Sequence, residues 1–226
     1  MKLSKDEIIR RARLLMMALF LFGYAYPSAA TLLGVELTSP VVLYNNAGTT
    51  TYNAGTDLFS VDASPIAINN GGTISLIIPI PGGGLEGVEI NIEVDETGGL
   101  VGGVPGEDDL VVFGRVLGAG APSGVLLTGD ITDFGFRNTG GTTDLFDFLF
   151  TSTGGLLAGD FGPNIGVTLT SENSSFTGVF SESFGGRAKG NIGSGRLPPS
   201  AIPEPATLAL FGIGLVGLGL GRSRKK

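Results

Sequence analysis

The chain has 226 residues, 39 of them glycine, and carries 14 Lys+Arg against 21 Asp+Glu, a formal net charge of −7. It has no cysteine and no histidine, which excludes disulfide staples, thiol nucleophiles, Cys/His zinc sites and Ser-His-Asp triads. Most of the basic residues lie at the two ends, so residues 31–205 hold five basic residues against 19 acids, a net of −14. A surface this acidic repels DNA, RNA and anionic lipid, and no nucleic-acid partner is expected.

The first segment, 1–30, reads as a secretory signal peptide. Lys2, Lys5, Arg10, Arg11 and Arg13 outweigh Asp6 and Glu7, an apolar stretch follows over 14–22, and Ser28, Ala29 and Ala30 are small. That is the charged, apolar, small-residue plan of an export leader. Cleavage between Ala30 and Thr31 is expected, with the general secretion machinery as partner. No twin-arginine pattern follows Arg10 and Arg11, and Pro27 argues against an uncleaved anchor helix.

Residues 31–186 read as one glycine-rich, acidic, all-β domain. Glycine pairs punctuate short apolar or alternating runs, as turns punctuate strands. The clearest run is 88–94. Val88, Ile90, Ile92 and Val94 share one face, and Glu89, Asn91 and Glu93 share the other. Further strands are expected over 35–44, 73–80, 110–117, 125–134, 145–151, 165–170 and 175–180. Pro40 would put the first at an edge or a bend. Eight to eleven short strands in about 175 residues fit a β-sandwich or jelly roll, with a closed β-barrel as the alternative. Nine phenylalanines fall between 134 and 184, and they read as a core stripe rather than a platform for stacking sugars.

Chemistry-bearing residues are few. Glu107, Asp108 and Asp109 follow Pro105-Gly106 and form an acidic turn whose oxygens suit calcium. A solvated turn is the simpler reading, and no other cofactor is expected. Asp130, Asp133, Asp144, Asp147 and Asp160 form a looser set from which two carboxylates could pair as in a glycosidase. Acids on the wet faces of strands explain them equally, so no catalytic residue is assigned.

Residues 187–202 read as a linker, because Gly190, Gly193, Gly195, Pro198 and Pro199 disfavour regular structure. The tail 203–226 has three parts. Pro203-Glu204-Pro205 is followed by 16 uncharged residues, 206–221, and by Arg222, Arg224, Lys225 and Lys226. As a helix the span covers roughly 24 Å, short for a bilayer core of about 30 Å, and it would cross with local thinning. The basic cluster belongs in the cytoplasm and holds the body on the other side. Gly212, Gly214 and Gly217 match a dinucleotide-binding spacing, but no strand precedes them and nothing folded follows.

This tail closely resembles the PEP-CTERM sorting signal of Gram-negative bacteria. Pro203, Glu204 and Pro205 match its tripeptide, 206–221 its transmembrane helix and 222–226 its basic end. The resemblance implies an exosortase as partner, a membrane-embedded cysteine enzyme that cuts the tail. It also implies an association with exopolysaccharide and biofilm matrix. The expected protein is a non-enzymatic one. It would be anchored first on the periplasmic side of the inner membrane and delivered then to the cell surface or beyond. The alternative is a secreted carbohydrate-binding module or carbohydrate-active enzyme, with polysaccharide as partner.

Overall fold

Short runs in which every second residue is apolar can bury only one face, so they must pair side by side around a shared interior. The computed structural model describes residues 31–80 and 87–198. The strands are β1 (Glu36–Asn53), β2 (Leu58–Ala63), β3 (Pro65–Asn70), β4 (Thr73–Ile78), β5 (Val88–Val94), β6 (Leu100–Gly103), β7 (Leu110–Val116), β8 (Ser123–Arg137), β9 (Thr143–Gly154), β10 (Asn164–Glu172) and β11 (Phe184–Arg196). One short helix, α1 (Ala158–Phe161), lies between β9 and β10.

All pairings are antiparallel, and they close on themselves. β1 is long enough to pair with β2 through Thr49–Asn53 and with β3 through Val41–Tyr44. β5 continues the wall beyond β2, and β4 continues it beyond β3. β7 then joins both, to β4 at Ile77–Ile78 and to β5 at Val88–Ile90. From β7 the chain meanders through β8, β9, β10 and β11. β11 returns to β1 and pairs along it from Glu36↔Arg196 to Tyr52↔Phe184. The ring has eight wall positions, with β2 and β3 sharing one and β4 and β5 sharing the next. β6 extends the wall below β7 by pairing with β5.

The body is therefore an up-and-down β-barrel, and the expected sandwich or jelly roll is corrected. A sandwich leaves two open edges on each sheet, whereas here the β1–β11 ladder removes them. The same ladder corrects the expected linker: residues 187–196 belong to β11 and pair on both sides. The run 175–180 is not a strand but part of the β10–β11 connection. Pro40 sits at a register shift in β1 between Thr38 and Val41, a bend in a strand paired beyond it on both sides.

Side chains fill the interior. An eight-stranded barrel is just wide enough for that. Val88, Ile90, Ile92 and Val94 are fully buried, and Phe59 meets Phe134, Phe146, Phe148 and Phe184 at ring-centroid distances of 5.1–6.1 Å. The nine late phenylalanines are all buried, as the core reading expects. Phe176 and Phe180 come from the β10–β11 connection and plug one end against Phe136 and Phe184. Tyr44 reaches across β11, and its hydroxyl donates to the Thr168 carbonyl at 3.0 Å. Gly190 faces it: a Cβ there would lie 2.6 Å from the Tyr44 hydroxyl and 1.8 Å from the Thr168 carbonyl oxygen. Glycine at this position lets β11 run past the tyrosine.

Candidate functional site

The acidic turn lies between β6 and β7, where the chain leaves the wall over residues 104–109. It borders a depression of about 500 Å³ shared with Gly103, Val104 and Asp130. Asp109 does not point its charge outward. One of its oxygens accepts the Val104 N–H at 3.0 Å, the other accepts the Ile131 N–H at 2.8 Å, and the residue is 5 % exposed. Burial pushes its carboxyl pKa up, and the two amide bonds pull it partly back. Asp108 accepts from the Thr153 hydroxyl at 2.5 Å. Among the described residues no group of three or more acids is placed to hold a metal ion. Asp109 acts instead as a clasp between the turn and β8.

The looser acidic set is dispersed. Asp144 faces inward on β9 and accepts the Thr139 N–H through one oxygen. Its other oxygen is buried with no hydrogen-bond partner, as are the hydroxyls of its cross-strand neighbour Ser171 and of Thr50. Asp147, three residues on, faces the outside of the same strand. Its carboxylate accepts the backbone N–H groups of Leu33, Gly34 and Val35 at 2.9, 2.8 and 3.3 Å. Gly135 leaves room for this lead-in, since a Cβ there would lie 2.6 Å from the Leu33 nitrogen. Asp130 is exposed on β8, Asp133 is half-buried there, and Asp160 is exposed on α1. No two of the five share a directly opposed cross-strand position. Asp147 is a role the sequence hid, because nothing in its local pattern shows that residues 33–35 return to it.

A second depression opens at the barrel mouth opposite the phenylalanine plug. It encloses about 330 Å³ between the β3–β4 turn, the β7–β8 turn and α1, and its polar lining comes from Asn70, Thr73, Ser75 and Asp160. Ile68, Val116 and Leu157 form its floor and sides. The sequence signalled only the turn, through Gly71 and Gly72 after Asn70.

The start of β1 and the end of β11 meet at the same rim. Arg196 ends β11 and pairs with Glu36 at the start of β1, and the Pro198 ring lies 3.6 Å from the Cβ position of Gly34. Ala30, the sorting tripeptide Pro203-Glu204-Pro205, the span 206–221 and the basic residues Arg222, Arg224, Lys225 and Lys226 lie outside the described residues. Among the described residues no helix is long and apolar enough to cross a membrane.

The family model of the PEP-CTERM protein-sorting motif matches residues 201–225. The match supports a PEP-CTERM exosortase substrate, an exported and membrane-associated protein sorted through its tail. No curated protein and no solved structure matches the chain.

Proposed function

We propose that the barrel is a non-enzymatic surface or matrix protein, delivered by the general secretion machinery and released from its tail by an exosortase. The observation that carries this reading is the sorting-motif match at 201–225, directly beyond a closed body. Export begins with cleavage between Ala30 and Thr31, and the tail holds the body on the periplasmic side until it is cut. Prolines at 203 and 205 keep the tripeptide extended, and Glu204 resists entry into lipid. An enzyme in the membrane then meets an extended acidic strand at fixed depth. The packed interior supports a structural body rather than one that carries a ligand in a lumen. Association with exopolysaccharide in a biofilm is the role we assign to it after release.

The test is processing of the full chain in its own cells. Glu204→Ala should leave the protein in the membrane fraction at higher mass. Trimming and delivery like the unaltered chain would show that the tripeptide is not the recognition element. A secreted carbohydrate-binding module is the second reading, favoured by the hydroxyl- and amide-lined mouth beside α1. Binding on a glycan array that Asn70→Ala abolishes would support it, and polysaccharide cleavage would establish an enzyme.

A further inference from the structure

We infer that the tail-bearing rim of the barrel is a lipid-contacting surface that rests on the bilayer while the tail is intact. The inference builds on the sorting reading of the tail and adds an orientation and a second membrane contact.

Three observations meet at this rim. The first is apolar exposure. Ile74, Leu76, Leu117, Leu156 and Leu197 are between 40 and 68 % exposed, and they follow the turns and strand ends of one rim. Leu117 donates its N–H to the Leu76 carbonyl at 2.8 Å, which joins the β4 and β7 members into one patch. Leu156 opens the β9–β10 connection, and Leu197 directly follows β11. Scattered exposed leucines need no explanation, but five of the eight exposed large apolar residues described fall at this one end.

The second observation is charge. The body is strongly acidic, but apart from Glu107, Asp108 and Asp109 on the β6–β7 turn the acids of its described turns gather at the far end. Asp57, Asp95, Glu96 and Glu182 lie on the connections opposite the tail. At the tail-bearing rim the described acids are Glu36, which Arg196 neutralises, and Asp160. An acidic body beside anionic lipid is repelled least when it turns this end inward.

The third observation is reach. Eight residue steps lead from Pro198 to Ala206, where the apolar span begins. Even fully extended they cover at most about 29 Å, and the five to Pro203 at most about 18 Å. The rim is thus confined close to the lipid surface at high effective concentration, where weak apolar contacts are populated. One anchor and one weak contact reinforce each other, and neither holds well alone. Cutting the tail would then remove the tether, and the rim contact would lapse with it.

Because the chain lacks cysteine, single reporters can be placed cleanly. Leu117→Cys, Leu156→Cys, Glu96→Cys and Val216→Cys would each be made in the full chain. Each would carry an environment-sensitive fluorophore and be reconstituted in phosphatidylethanolamine–phosphatidylglycerol vesicles containing a headgroup-proximal nitroxide lipid. Labels at 117 and 156 should be quenched at least about twofold more than the label at 96, as expected for side chains entering the lipid interface. Equal quenching at 96, 117 and 156, with the 216 label shielded from water, overturns the rim contact and leaves the tail reading standing. An unshielded 216 label overturns both. Labels at 117 and 156 that are shielded without nitroxide quenching, in particles of doubled mass, would assign the rim to a second copy and overturn the lipid contact. The pair Leu117→Ser and Leu156→Ser, at exposed positions, should keep 216 shielded while water access at the rim rises.

Discussion

At the scale of single residues, the acids set the pH response of the body. Asp62 and Glu89 are directly opposed on β2 and β5, like charges on the outer face. Burial first, then Asp62 and Glu107, push the Glu89 carboxyl pKa up. Asp109 is raised as well, chiefly by burial. A raised carboxyl pKa means that the folded chain holds the proton more readily than the unfolded one. The contribution of these two groups is therefore least favourable at neutral pH and improves as pH falls through their raised values. Asp95 works in the opposite sense. Its hydrogen bond from the Thr97 hydroxyl, then that from the Gly99 N–H, holds its pKa down, so its support is lost as pH falls through the lowered value. Tm should rise on mild acidification from about pH 7 and then fall in stronger acid. Glu89→Gln should raise Tm at neutral pH and flatten the first part of that profile, which thermal melts across pH would read. Asp109→Asn should lower stability at neutral pH by about 1–3 kcal/mol, because one of two backbone amides loses its acceptor. Since both oxygens of Asp109 are already engaged, millimolar calcium should shift Tm no more than sodium at matched ionic strength. A larger shift would restore Glu107, Asp108 and Asp109 as a calcium site.

At the scale of elements, β11 decides the architecture. Its glycines read as linker because glycine shows no alternation of its own. The apolar partners come from β1 and β10, where Val42 and Val167 face Ile192, and Tyr44 and Leu169 face Gly190. Gly190→Ala would force the new methyl against the Thr168 carbonyl and the Tyr44 hydroxyl. It should cost at least about 1–3 kcal/mol by denaturant titration, the usual range for overpacking. The β10–β11 connection matters equally at the far end. Phe180 is about 1 % exposed and contacts the rings of Tyr52, Phe134, Phe136, Phe176 and Phe184. Its hydroxylated neighbour Tyr52 donates to the Val94 carbonyl at 3.0 Å, and burial first, then Asp57, pushes its phenol up to about 12. Phe180→Ala should destabilise the barrel by about 3–5 kcal/mol, measured by the same titration.

At the scale of the whole molecule, closure removes the open strand edges that would invite pairing between copies. Closure also sets the start of β1 beside the end of β11 at one rim, while the lead-in at 31–35 lies along the outer wall against Asp147 and Gly135. The described chain should unfold as one cooperative unit, because the β1–β11 ladder joins its first strand to its last. Circular dichroism of the mature protein should show strand with little helix in the body. Coincident circular dichroism and fluorescence melts would bear out the single unit, and separated transitions would refute it.

What the sequence determined by itself was local or additive. Alternation at Val88, Ile90, Ile92 and Val94 marked a strand with one buried face, and the structure buries all four completely. Glycine punctuation marked an all-β body, and the order of tripeptide, apolar run and basic cluster marked the sorting tail that the family match supports. Those signals need only neighbours in the chain. Tertiary structure alone decided that the sheet closes, because closure depends on β1 meeting β11, more than a hundred residues away. It also decided that Asp109 and Asp147 accept backbone amides from distant parts of the chain, Ile131 and Leu33 among them. Asp109 looked like a member of an exposed acidic triplet, and Asp147 like an ordinary acid on a wet face. Their roles became visible only once folding had brought distant amide groups against them.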